Sequence, residues 1–324
     1  MSRTRIDPKR SPSHRRARRL RPLWTAAGLF ALGVLATWLS SRRIHPMAEW
    51  EDFLDGEDLP PREPFPTTPV EVAGPAGILH VEEGGSGGLP VVFVHGLGGR
   101  GAQWGPQVAH LRPERRVLAL DLRGHGGSSP AADGAYGVAD LAADVTAVAD
   151  ELGLERFVLA GHSLGATVAA EVARREGVER VAGLLLVDPN GDQTRIPRAE
   201  LDPFLASLRS DPAGEMRWYF KQVLVGAAPG TAERVLEDLA ATPPEVLLAA
   251  LEASFTHSPL PALEDYDGPV LAVVSDMNSL PYSLPNLRPD LPVRLLVGTS
   301  HWLMLDRPDD LDRILDDFLG TLEG

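Results

Sequence analysis

Residues 157–175, FVLAGHSLGATVAAEVARR, decide the fold. Phe157–Ala160 is a short apolar run without polar alternation, which suits a strand buried on both faces of a parallel sheet. From Leu164 to Arg175 small and apolar residues recur at helical spacing. Gly161-His162-Ser163-Leu164-Gly165 joins the two. A serine on a sharp strand-to-helix turn needs small residues two positions away on either side, because the turn is strained and closely packed.

The same strand-then-helix rhythm extends outward from this stretch. Apolar runs at Val91–Val94, Val117–Leu120, Leu184–Val187, Val270–Ser275 and Val293–Val297 read as further strands; Arg294 marks the last as an edge. Helical patterns at Val138–Leu152 and Asp309–Leu322 separate some of them. Val70–Val72 and Ile78–Glu83, joined through Gly74-Pro75, read as an antiparallel hairpin at one sheet edge. The whole predicts a doubly wound, mostly parallel α/β sheet over residues 70–188 and 266–324. Residues 189–265 break the rhythm with Leu- and Ala-rich helical spacing and read as a helical cap inserted between two strands.

Before residue 70 the chain changes character. Residues 1–21, a basic tail, hold nine Lys/Arg, and Pro22–Ser41 carries no charge. Twenty such residues just span the ~30 Å hydrocarbon core of a bilayer, with Trp24 and Trp38 near the two interfaces. The excess of positive charge before the run predicts a single-pass cell-membrane protein with the body after residue 43 extracytoplasmic. A cleaved signal peptide, with Val34 and Ala36 before the cut and secretion as its outcome, is the alternative. Residues 42–69, acidic and proline-rich, read as a linker.

Composition excludes several chemistries. The chain has 324 residues and no cysteine, so disulfides and thiolate catalysis are ruled out. Its net charge of −14 conceals a split. The first 43 residues hold eleven bases and one acid, leaving twenty bases against forty-four acids in the rest. A body that acidic repels nucleic-acid backbones. No metal or organic cofactor is implied, and nothing indicates the oligomeric state.

Gly-x-Ser-x-Gly also occurs at Gly84–Gly88, but that copy opens no helix and reads as a turn. Ser163 is therefore the candidate nucleophile, and its hydroxyl needs a base. Among nine histidines, His301 follows the last strand, at the carboxyl edge where catalytic groups of open α/β sheets gather. His95, His125 and His162 also lie near strand ends; His125 reads as structural, and His162 is poorly placed to turn back onto its neighbour. The carboxylate that orients the base is Asp276 or Asp188, each ending a strand. Asp276 is preferred, because its strand immediately precedes the one leading to His301. For an oxyanion, one N–H comes from Leu164 at the helix start and a second from Leu97 in the loop His95-Gly96-Leu97-Gly98-Gly99.

His95-Gly96, Asp121-Leu122-Arg123-Gly124-His125-Gly126, Gly161–Gly165, Asp276 and Gly298–Trp302 together resemble the α/β-hydrolase superfamily over about residues 70–322. The resemblance implies an eight-stranded sheet, a cap after the sixth strand, Ser163 as nucleophile, Asp276 as acid, His301 as base, and Leu97 and Leu164 as oxyanion donors. The chain departs from many relatives around Asp276, where it lacks their longer glycine-containing turn. Trp104, Trp218 and Trp302, with Tyr219, Phe220 and Phe255, are candidate walls for a small-molecule substrate. The expected activity is hydrolysis of a carboxylic ester through an acyl-enzyme. Peptidase, C–C hydrolase, acyltransferase and a catalytically silent binding protein of the same fold are the alternatives.

Overall fold

The computed structural model describes residues 67–323. The apolar run Pro22–Ser41 and its basic flank lie outside them; among the described residues no helix is long and apolar enough to cross a membrane.

Eight strands form one sheet: β1 (Thr68–Gly74), β2 (Gly77–Gly84), β3 (Val91–Val94), β4 (Val117–Leu120), β5 (Phe157–His162), β6 (Val181–Val187), β7 (Val270–Ser275) and β8 (Val293–Leu296). Their order is β1-β2-β4-β3-β5-β6-β7-β8. Only β2 runs against its neighbours, so the sheet is mostly parallel. The expected hairpin at one edge is β1–β2, and the strand carrying Arg294 is the opposite edge. β6 starts three residues before the expected Leu184. Gly183 interrupts the apolar pattern there, and the pairing absorbs the interruption with a register shift at Phe157/Val158.

The helices follow from the same alternation. Side chains of successive strand residues point to opposite faces. Val91 and Phe93 belong to one core layer and Val92 and Val94 to the other. On the first face pack α1 (Gly105–Leu111) and, further along the chain, the C-terminal helix through Leu311, Leu315 and Phe318. On the second pack α2 (Val138–Glu151) and α3 (Leu164–Arg180), the latter kinked at Gly177. Between β6 and β7 lie α4 (Arg198–Ser210), α5 (Pro212–Val223), α6 (Thr231–Ala241), α7 (Pro244–Ser254) and α8 (Leu260–Asp265). Most of their apolar faces join the first core layer, so these helices are packed continuously with the sheet. Two short helices, α9 (Leu284–Leu287) and α10 (Leu303–Asp306), precede α11 (Pro308–Glu323).

Candidate active site

Ser163 sits between β5 and α3 with φ 53° and ψ −115°, a left-handed conformation that strains a non-glycine residue. Its flanking glycines are sterically required. A Cβ at Gly161 would lie 2.3 Å from the Gly165 carbonyl oxygen, and one at Gly165 equally close to that of Val94. Ser163 N–H donates to Val187 O at 3.0 Å, and the hydroxyl donates to Asn190 Oδ1 at 3.0 Å.

The histidine loop folds back from β8 across the carboxyl edge. His301 Nδ1 donates to Asp188 Oδ2 at 2.7 Å, which leaves Nε2 as the ring's basic nitrogen. The carboxylate held against His301 is therefore that of Asp188, and Asp276 does not meet the ring. Asp276 is exposed and accepts the Gly298 N–H at 2.8 Å. Sequence order misled because adjacent strands do not guarantee adjacent side chains. Ser275 pairs with Leu296, which sets Asp276 beside the start of the loop, whereas His301 at its far end packs at a tilt against His162, the last residue of β5, with centroids 4.7 Å apart.

Asp188 is buried and carries a positive φ of 42°. It also accepts from Ser275 N–H at 2.8 Å, Ser275 Oγ at 2.9 Å and Asn278 Nδ2 at 3.2 Å. Burial pushes its carboxyl up. The hydrogen bond and charge of His301 and the Ser275 donors outweigh burial and hold it below the usual carboxylate range.

His162 and His95 are structural supports. His162 donates through Nε2 to the His301 carbonyl oxygen at 2.8 Å, fixing the loop, and burial lowers it to about 3. His95 accepts the Leu122 N–H on Nε2 at 2.9 Å and meets Gly96 O through Nδ1 at 2.7 Å; burial lowers it to about 4. It thereby ties the Gly96–Gly99 loop to the end of β4. Gly96 lets this loop approach Ser163, since a Cβ there would meet His162 Nδ1 at 2.9 Å and Ser163 Cβ at 3.0 Å. Asp121 holds the other side of the loop by accepting Gly101 N–H at 2.6 Å.

Ser163, His301, Leu97, Leu164 and Trp302 all line one cavity of about 30 Å³ at the carboxyl edge. Three expected walls are elsewhere. Trp104 is fully buried in the core and stacks on Phe93 at 4.9 Å, because its 3-10 turn drives the indole under the sheet. Trp218 lies half-buried against the core and does not line the cavity; Tyr219, Phe220 and Val223 present the wall from the next faces of α5. Phe255 packs edge-on against Phe204 within the inserted helices. Asn190, three residues after the end of β6, was missed in the sequence, and its position past a strand end was the only signal. Asp306 was missed too. It accepts from Ser300 N–H at 2.7 Å and from Ala228 N–H at 2.8 Å, joining the histidine loop to the inserted segment. A wider groove of about 460 Å³ lies by Val270 and Pro292, at the amino ends of β7 and β8, remote from Ser163.

A sequence model of the alpha/beta hydrolase family matches residues 91–314, which takes in β3 to β8 and the whole cavity. The chain belongs to the alpha/beta hydrolase family. The chain is 41% identical over 129 residues to RutD of Variovorax paradoxus, which carries the name of a carbamate hydrolase; the match covers 38% of this chain and 48% of that protein. It is 40% identical over 126 residues to the dihydrolipoyllysine-residue acetyltransferase component of the acetoin cleaving system of Pseudomonas putida, covering 39% of this chain and 34% of that one. The chain thus spans about half or less of these relatives' length. Among solved structures, a thermophilic esterase from Thermogutta terrifontis superposes with a TM-score of 0.66 at 24% identity, over 79% of this chain and 100% of that one. A bromoperoxidase from Bacillus anthracis reaches 0.70 at 20% identity, over 78% and 100%. Both likenesses are of fold.

Proposed function

We propose that this protein is a serine hydrolase that cleaves a carboxylic ester, or a chemically related carbamate, through an acyl-enzyme on Ser163. The observation that carries the reading is the 2.7 Å hydrogen bond from His301 to a buried aspartate, with Ser163 in the same cavity. At rest the Ser163 hydroxyl donates to Asn190 Oδ1. Rotation of the hydroxyl toward His301 Nε2 lets the imidazole take that proton as Oγ attacks the substrate carbonyl. Asp188 balances the imidazolium that forms. The N–H groups of Leu97 and Leu164 receive the oxyanion. His301 then passes its proton to the departing alcohol, and a water attacks the acyl-enzyme by the reverse logic.

A fluorophosphonate probe tests this reading directly. Wild type should be labelled at Ser163 and should turn over p-nitrophenyl acetate, and Ser163→Ala should do neither. An unlabelled wild-type protein without esterase turnover overturns the proposal and favours a silent binding protein.

We infer further that Pro22–Ser41 anchors the enzyme and leaves residues 44–324 outside the cytoplasm, an assignment supported by the concentration of arginines before the run. Protease applied to the outer face of the intact membrane should degrade the body; complete protection until lysis overturns the topology.

A further inference from the structure

The cavity holding Ser163 has a volume of about 30 Å³, room for a group of a few heavy atoms, since about 10–15 Å³ of such space already accepts one water. A second cavity, of about 60 Å³, shares Asn190, Gln193, Tyr219, Val223 and His301 with it, the wall between them, but excludes Ser163, Leu97 and Leu164. Acyl-enzyme chemistry sorts the two. The acyl group stays bonded to Ser163 Oγ with its oxygen toward Leu97 and Leu164, and so it occupies the first. The leaving group takes its proton from His301 and departs on that side, into the second, beside Met277, Asn278 and Tyr282.

We infer that the enzyme is selective for acyl groups of acetyl or carbamoyl size, and that its substrates vary on the leaving-group side. This rests on the acyl-enzyme reading above. The walls of the acyl chamber are not free to retreat. Phe220, Leu251 and Trp302 are buried, and Phe220 packs on Trp302 with ring centroids 5.4 Å apart. Val223, also in the wall, accepts the His301 N–H on its carbonyl oxygen at 3.1 Å. A longer acyl chain that pushes the end of α5 outward therefore pulls on the backbone of the base itself. Chain length should consequently depress kcat and not only raise KM, because His301 leaves the position from which it reaches Ser163. Leu251 enters the chamber from α7, which carries no hydrogen bond to the histidine loop. Shortening it opens room without loosening the base.

The experiment compares p-nitrophenyl acetate, butyrate and octanoate with the full chain, reading kcat and KM separately. The expected result is a fall in kcat/KM of at least tenfold from acetate to butyrate and a further tenfold to octanoate, carried mainly by kcat. Any smaller decline, or a preference for the longer esters, overturns the chamber assignment. Leu251→Ala should raise the butyrate-to-acetate ratio at least fivefold over wild type; Leu251→Val, a milder change, should shift it in the same direction. An unchanged ratio in both folded variants also overturns the assignment. The two readings fail differently. Rapid turnover of octanoate removes only the size selectivity, whereas no turnover together with no fluorophosphonate labelling removes the hydrolase reading and this inference with it.

Discussion

The ends of β6 and β7 each carry an aspartate, one strand apart in the same sheet, yet the two live in different physical worlds. Asp188 is buried under the inserted helices, strained into positive φ and satisfied by three donors besides His301. Asp276 is exposed and accepts one backbone N–H. A carboxylate can be held ionised out of water only where donors replace its hydration. The comparison teaches that a strand's carboxyl end is not enough: the acid that can orient an imidazole is the one whose neighbours supply those donors. Here Ser275 and Asn278, from the end of β7, are spent on the aspartate of β6.

The largest expected effect breaks the comparison outright. Asp188→Asn should lower kcat on p-nitrophenyl acetate by a factor on the order of 10⁴, the scale seen when a serine protease loses this carboxylate. Steady-state kinetics on a variant shown by circular dichroism to be folded provides the measurement. If Asp276→Asn suffers that loss instead, the roles of the two strand ends are reversed.

Acid should separate the β3–β5 end of the sheet from the β6 end. His95, His125 and His162 are lowered by burial to about 4, 3 and 3, all below an unfolded imidazole near 6.5. Between those values the unfolded chain binds protons that the native one refuses, so stability falls as pH falls. From pH 7 to 5 the loss is about 2 kcal/mol for each histidine. Asp188 behaves oppositely in range. Its depressed value contributes stability that is present above the ordinary carboxylate range and lost only as pH drops through it. Thermal melts from pH 8 to 4 should show Tm declining below about pH 6. A flat Tm down to pH 5 contradicts the neutral, buried state of the three rings.

A smaller effect sharpens the account of what supports Asp188. Ser275→Ala removes one charged hydrogen bond and should lower stability by about 1.5–3 kcal/mol in urea unfolding, with kcat reduced less than in Asp188→Asn. A stability equal to wild type would show that Ser275 contributes nothing to holding the charge. Asp276→Asn should be the smallest. An exposed acceptor of one N–H predicts a change within about 0.5 kcal/mol and near-native kcat, readable by the same two assays.

Much of this site was legible because its logic is local. Ser163 announces itself through glycines two positions away on either side, and the observed contacts at Gly161 and Gly165 are those such a turn requires. The loop at Leu97 and the helix start at Leu164 both border the cavity for the same reason, since each follows directly from a strand end. Trp104 and Trp218 were misplaced because a large aromatic residue near a site serves equally well as core. Which face it turns to depends on a 3-10 turn or on one helical step, and neither leaves a trace in composition.

By itself, the sequence determined the strand–helix alternation, the antiparallel edge, the strained turn at Ser163 and the placement of His301 after the last strand, because periodicity and turn chemistry act over a few neighbouring residues. Only the tertiary structure decided which aspartate meets His301, that His162 and Asp306 hold its loop, and that Asn190 accepts the hydrogen bond of the Ser163 hydroxyl. Those contacts join residues 27 to 139 positions apart, apart from the short span to Asp306. They depend on how far a loop folds back across the sheet edge, a distance set by packing of the inserted helices against that edge and written in no single stretch of the chain.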